Sequence, residues 1–285
     1  MALNKAALRT RTLTAIVFVA VMASGLFYSK WSFFILFSVV HFGAWREYVA
    51  LIKKWQPALI ETKNSWWATV ALLGWCGMLY ATNHQLVVKF FSLKEGGFWL
   101  GLMLFIALPV LLLLQRQLAF KAGSFALLGL IYISLPLSLL IDLRTRWTDE
   151  DSPLNFTVPL LLIFTLWVND TMAYIVGSLI GKTPLSPVSP KKTWEGTVGG
   201  ALLAVMVITA LAHFTERLSP IHAAAMSFLA ASFGTIGDLA ESRLKRLAGV
   251  KDSGTIMPGH GGFLDRFDSL LFAVVVVWVW AAVGL

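Results

Sequence analysis

Between Asp238 and Asp268 fall ten of the 23 Lys/Arg and 15 Asp/Glu residues of a 285-residue chain that is 58% apolar. On a helix, Asp238, Glu241, Ser242 and Lys245 fall at i, i+3, i+4 and i+7 and share one face. Asp265 and Asp268 in "DRFD" repeat the device one turn apart. Hard cations such as Mg²⁺ take oxygen ligands, commonly one or two carboxylates completed by water and substrate phosphate. Between the two acidic pairs, "PGHGG" (258–262) carries three glycines in five residues. Glycines let backbone N–H groups approach an anion, the geometry of a phosphate-holding nest. Lys245, Lys251 and Arg266 stand ready to neutralise phosphate charge. A charged, glycine-rich loop is most often only a solvated turn. Carboxylates on both flanks, the glycines and the bases, all in one segment, point past that to a site holding metal and phosphate together.

Two further stretches support the same chemistry. "LWVNDTMAYIVGSLIGK" (166–182) buries Asp170, beside Asn169, within an apolar run. A carboxylate inside a membrane segment is costly, so it defaults to a functional reading; a packing hydrogen bond from a protonated acid is the alternative. "SPVSPKKTWEG" (186–196) sets Lys191 and Lys192 beside Ser189 and Glu195. That reads as a basic, phosphate-facing loop entering a helix with Glu195 in its first turn. A lipid-headgroup patch without chemistry is the alternative there. His260 alone is a weak signal, and Arg46–Glu47 and Asp142 read as structural or interfacial. Cys76 is the single cysteine, which excludes an intramolecular disulfide and a thiolate-built metal site.

These groups need elements to carry them. Mean hydropathy is +0.75 and only 13% of residues are charged. Apolar runs near the ~20 residues that span about 30 Å of hydrocarbon recur along the chain. Continuous runs such as "LLFAVVVVWVWAAVGL" (270–285) exclude the alternation of a β-barrel. The expected fold is therefore an all-α, polytopic membrane bundle of about nine helices, near 12–29, 31–51, 66–82, 97–115, 123–142, 156–180, 196–214, 221–241 and 268–285. The basic N-terminal stretch ending at Tyr28 reads as a retained first helix rather than a cleaved signal. With the N-terminus inside, sixteen Lys/Arg fall in cytoplasmic loops and six outside, Arg46 lying in or at the end of the second span. That asymmetry predicts N-in/C-out and puts 181–196 and 242–267 on the cytoplasmic face. The net charge of +8 then serves anionic lipid headgroups and calls for no nucleic acid.

"SRLKRLAGVKDSGTIMPGHGGFLDRFD" (242–268) closely resembles the signature of the phosphatidate cytidylyltransferases, or CDP-diacylglycerol synthases. That signature reads Ser-x-aliphatic-Lys-Arg, four residues, Lys-Asp-x-small, His-Gly-Gly and Asp-Arg-x-Asp. Ser242, Lys245, Arg246, Lys251, Asp252, Gly254, His260, Gly261, Gly262, Asp265, Arg266 and Asp268 match it; Met257 stands where Leu, Ile or Phe is usual. "SPKKTWEG" (189–196) is similar to the family's Ser-Pro-x-Lys-Thr-x-Glu-Gly element. "NDTMAY" (169–174) resembles a stretch that more often has Ala-Asp-Ser, so Asp170 transfers more readily than its neighbours. The strong match covers the C-terminal 120 residues, and the first 150 are similar only in hydropathy.

The resemblance implies transfer of the cytidylyl group of CTP to phosphatidic acid, a Mg²⁺ site with a monovalent ion such as K⁺, and a homodimer in the membrane; the expected location is the bacterial inner membrane, with the site facing the cytoplasm as the Lys/Arg distribution predicts. It implies Asp238 and Asp265 as Mg²⁺ ligands, with Glu241 joining them from its place on the same helix face. The remaining catalytic candidates are Asp268, Lys251, Asp252, Arg266 and His260. Candidates for substrate and phosphate are Ser189, Lys191, Lys192, Glu195, Ser242, Lys245, Arg246, Gly261, Gly262 and Asp170. The expected division is a packing region, 1–150, and a catalytic region, 151–285. Rival readings are a CTP-using lipid kinase, a CDP-archaeol synthase, and a transporter using Asp170 as an ion relay. The Asp-Gly-x-x-Ala-Arg motif of the CDP-alcohol phosphatidyltransferases is absent.

Overall fold

The computed structural model describes residues 5–57, 66–91, 120–147, 152–256 and 261–285, with side chains described for 16–57, 67–82, 122–147, 152–256 and 261–285. The helices are α1 (Lys5–Phe27), α2 (Lys30–Trp55), α3 (Trp66–Phe91), α4 (Phe120–Gly129), α5 (Leu135–Thr145), α6 (Leu154–Ile180), α7 (Trp194–Thr215), α8 (Pro220–Leu247) and α9 (Leu264–Gly284). A π-helical turn, Leu130–Ser134, joins α4 to α5. Among the described residues, six helical stretches are long and apolar enough to cross a membrane: Lys30–Trp55, Ala122–Thr145, Leu154–Ile180, Trp194–Thr215, Pro220–Leu247 and Leu264–Gly284. Ile16–Phe27 and Trp67–Thr82 are shorter apolar helices. The chain is thus an all-α membrane bundle. The span expected at 97–115 lies outside the described residues.

Contacts divide the chain into two compact units, Met1–Asp142 with Asp252–Leu264, and Leu143–Lys251 with Asp265–Leu285. The segment 252–264 therefore goes with the N-terminal helices, although the sequence groups it with the C-terminal motifs. In the first unit, α2 begins with a capping box. The Ser29 hydroxyl accepts from Ser32 N at 3.0 Å, and Ser29 N donates to Ser32 Oγ at 2.9 Å. Two of the orphan donors at a helix start are satisfied this way. Lys53 and Lys54 in the last turn of α2 face the negative end of the helix dipole. Phe33, Phe37, Trp45, Tyr48, Met78 and Ile133 form the buried core. Ser134 of the π turn accepts a 2.9 Å bond from Trp45 Nε1 and lies 2.9 Å from His41 Nε2.

In the second unit, α6 and α7 pack almost backbone to backbone. A Cβ at Gly200 would lie 2.7 Å from Ala173 N, and one at Gly196 would lie 2.9 Å from Gly177 Cα. Small residues allow such approach where lipid supplies no hydrophobic drive between helices. The segment read as a plain loop between these helices contains a two-stranded antiparallel hairpin, Pro184–Ser186 (β1) with Ser189–Thr193 (β2), in register Pro184↔Thr193 and Ser186↔Ser189. Thr193 caps α7 by accepting from Gly196 N at 3.1 Å.

Candidate active site

Three elements of the second unit carry the polar side chains. On α8, the spacing expected to make one face does so: Glu241, Ser242 and Lys245 are buried and Asp238 is half-buried. The Ser242 hydroxyl donates to Asp238 Oδ1 at 3.3 Å. At the start of α9, Asp265 is half-buried and Asp268 is buried, with Asp268 Oδ1 accepting from Ser269 N at 2.6 Å. From the hairpin, Lys192 Nζ pairs with Asp238 Oδ2. Lys245 is the hinge of the cluster. Its ammonium pairs with Glu241 on its own helix and donates to Asp265 Oδ1 at 2.6 Å on α9. One lysine therefore bridges the two helices that carry the acidic pairs.

Glycine brings these helices together. A Cβ at Gly237 would lie 2.5 Å from the Asp268 carbonyl oxygen and 3.0 Å from Phe272 Cβ. Only a residue without a side chain lets α9 run this close, one position before Asp238. The charge of Asp170 lies near enough to act with Asp238, Lys192 and Arg266, that of Glu241 with Asp238 and Asp265, and that of Asp268 with Asp170, Asp238 and Glu241. Asp170 lies within α6, in the apolar run where the sequence places it, and is exposed beside these groups. Asn169 is the buried neighbour, its Nδ2 donating to Asp170 Oδ1 at 3.4 Å.

The other candidates divide by position. Lys191, Arg246, Lys251, Asp252 and Arg266 are exposed, and Ser189 is half-buried on β2. Arg246 donates to the Val250 carbonyl at 3.0 Å, closing the turn after α8. Glu195, in the first turn of α7, accepts from the backbone N–H groups of Lys182 and Thr183 at 3.2 Å and from Thr183 Oγ1 at 2.8 Å, fastening the base of the hairpin. His260 lies outside the described residues.

In the first unit, Gly261 has φ +83, a conformation that favours glycine. Gly262 is buried against the carboxylate of Glu47, and Glu47 accepts from Phe263 N and Leu264 N at 2.9 Å each. The anion the loop holds is thus a side chain of the protein itself. Sequence reasoning passed over Gly237, and it read Glu47 as structural or interfacial without finding its partners. The "GTIGD" spacing of small residues at 234–238 is a signal for the first; no local pattern signals the second.

The donor set consists of carboxylate oxygens, the ligand type that hard cations take. It is all oxygen, its five carboxylates outnumber Lys192, Lys245 and Arg266, and Glu241 Oε1 is buried without a hydrogen-bond partner. Among the described residues no three His, Cys, Asp or Glu side chains are placed to hold one metal ion, and the Lys192 and Lys245 ammoniums pair with the acids.

Acids and lysines thus interleave where α8 and α9 of this helical bundle converge. The model of the cytidylyltransferase family matches residues 9–283, and the chain belongs to that family. Among individual relatives, it is 45% identical over 111 residues to the phosphatidate cytidylyltransferase of Staphylococcus aureus (strain COL), covering 38% of this chain and 43% of that protein. It is 47% identical over 117 residues to the phosphatidate cytidylyltransferase of Staphylococcus epidermidis, covering 40% of this chain and 45% of that protein. The matched stretch spans less than half the length of these curated relatives.

Proposed function

We propose that the chain transfers the cytidylyl group of CTP to phosphatidic acid, giving CDP-diacylglycerol and pyrophosphate. The observation that carries this reading is the Lys192–Asp238 and Glu241–Lys245–Asp265 array, where cations and carboxylates from β2, α8 and α9 meet. Family membership and the names of the relatives support the choice of substrates.

A phosphate oxygen of phosphatidic acid attacks the α-phosphorus of CTP, a P–O bond forms, and the bond to the β-phosphate breaks to release pyrophosphate. A phosphomonoester loses its second proton near pH ~6, so the nucleophile needs little general-base help. The obstacle is repulsion between two polyanions. Fixed cations and preorganised donors lower that barrier. Lys191, Lys192, Lys245, Lys251 and Arg266 serve as phosphate partners, with Lys192 and Lys245 turning from the acids to substrate oxygens. Asp238 and Asp265, with Glu241 beside them, would hold Mg²⁺. When bound, that ion supplies charge neutralisation and Lewis-acid polarisation of phosphoryl oxygens. Asp170 and Asp268 shape the field around these groups, and Ser242 orients Asp238. Ser189 and Arg246 are assigned to the same site by their place in the motifs, and Asp252, His260 and Gly261 to the reaction by the motif alone. A monovalent cation such as K⁺ and a homodimeric assembly complete the reading.

In the membrane, the proposed arrangement is nine spans, the ninth at 97–115, with N-in/C-out orientation in a bacterial inner membrane. The loops that carry the motifs then face cytoplasmic CTP and lipid phosphate at one surface. The distribution of Lys and Arg supports this. The test is an assay of purified protein in detergent with phosphatidic acid and CTP labelled at the α- or γ-phosphate. Label from the α-position should enter lipid while γ-label leaves as pyrophosphate. Entry of γ-label into lipid would make the protein a kinase, and no lipid labelling with either would remove the proposal. CTP should outcompete ATP, GTP and UTP.

A further inference from the structure

Glu47 sits in the second half of α2 with only 8% of its surface exposed. A carboxylate there has lost most of its hydration and needs partners of its own. They come from more than 200 residues away. Oε1 accepts from Phe263 N at 2.9 Å, while Oε2 accepts from Leu264 N at 2.9 Å and from Ser253 Oγ at 2.7 Å. Both ends of the segment 252–264 are therefore pinned to one side chain. Two glycines make room for it: a Cβ at Gly254 or Gly262 would collide with the Glu47 carboxylate.

The two backbone donors sit where α9 begins, Leu264 being its first residue. The first N–H groups of a helix have no partner within it and carry the positive end of the dipole. A carboxylate supplied from another helix satisfies both needs, and it does so one residue before Asp265.

We infer that Glu47 is a positioning residue for the transfer reaction. It fills the anion nest formed by the loop's glycines and backbone, fixes where α9 starts, and so sets the placement of Asp265. Gly262 is then required for contact with Glu47 and not for contact with a substrate phosphate. The inference rests on the proposed cytidylyl transfer for its kinetic consequence, and on the clamp alone for its structural one.

The experiment compares full-length wild type, Glu47→Gln, Glu47→Asp and Gly262→Ala in detergent. It combines steady-state kinetics with amide hydrogen exchange, both on purified protein. Glutamine has the size of glutamate but sets an NH₂ against one of the two backbone donors. In Glu47→Gln, kcat should fall by about tenfold or more, as displacement of a catalytic group does, with KM for CTP changed by less than about threefold. Exchange should quicken at 262–266 and stay unchanged in α6 and α7. Gly262→Ala, which displaces the carboxylate from the loop side, should give the same pattern. Glu47→Asp keeps two acceptor oxygens and should recover part of both readouts. Wild-type kcat in Glu47→Gln and Gly262→Ala would overturn the inference, as would exchange that rises equally in every helix, the mark of lost stability alone. If the wild-type protein transfers no cytidylyl group, the proposed function fails, while the exchange pattern still decides whether Glu47 holds the start of α9.

Discussion

The most demanding test of the site's construction is Gly237→Ala, which adds one methyl group to α8 without touching a charged residue. The new Cβ would stand 2.5 Å from the Asp268 carbonyl oxygen and 3.0 Å from Phe272 Cβ, where ordinary contact begins at 3.4 Å. Because the struck atom is backbone, no side-chain rotation relieves it, and α9 must retreat by about 1 Å. Overpacking of this kind costs about 1–3 kcal/mol of stability. Its effect on turnover should be larger, since the retreating turn carries Asp268 and lies opposite Asp238, and a 1 Å misplacement can cost ~10²-fold in rate. The assay is kcat/KM for α-labelled CTP alongside thermal unfolding. Gly249→Ala is the matched comparison. It lies at φ +68 with open space around its Cβ position, so it should lose about 1 kcal/mol to backbone strain and little activity. Gly237→Ala with wild-type kcat/KM would refute the claim that close approach of α8 and α9 builds the site.

Lys245→Met should destabilise the protein by ~3–5 kcal/mol, because buried Glu241 and half-buried Asp265 both lose their ammonium partner; pairing it with Glu241→Gln should recover part of the unfolding temperature but not cytidylyl transfer. Lys192→Ala frees the half-buried Asp238 and removes a proposed phosphate partner, so kcat/KM should drop by about 10²-fold with little change in unfolding temperature. Thr193→Ala removes the cap of α7 and should cost about 1 kcal/mol in unfolding measurements, with a smaller kinetic effect than Lys192→Ala.

The membrane helices were legible because hydrophobic length is a continuous signal. The spans expected at 156–180 and 196–214 differ from Leu154–Ile180 and Trp194–Thr215 by at most two residues at either end. The one-face grouping on α8 was legible for a similar reason, since helical spacing alone aligns Asp238, Glu241, Ser242 and Lys245. What joins those residues to others was not. The hairpin that delivers Lys192 to Asp238 has strands of three and five residues, two of which are prolines, and gives no alternating pattern. Lys245 reaching Asp265, and Glu47 reaching Phe263 and Leu264, are pairings across long stretches of chain that no local period encodes. Glu47 was read as structural or interfacial because a lone acid near a helix end ordinarily is.

The central claim is that Asp238 of α8 and Asp265 of α9 act as one unit. Turnover of CTP and phosphatidic acid by Asp238→Asn, Asp265→Asn and the double variant tests it most directly, each first shown to be folded. Each single change should lower kcat by ~10²–10³-fold, and the double should lose little more than the worse single, as residues acting together do. Losses that multiply independently, or wild-type turnover in either single variant, would contradict the account.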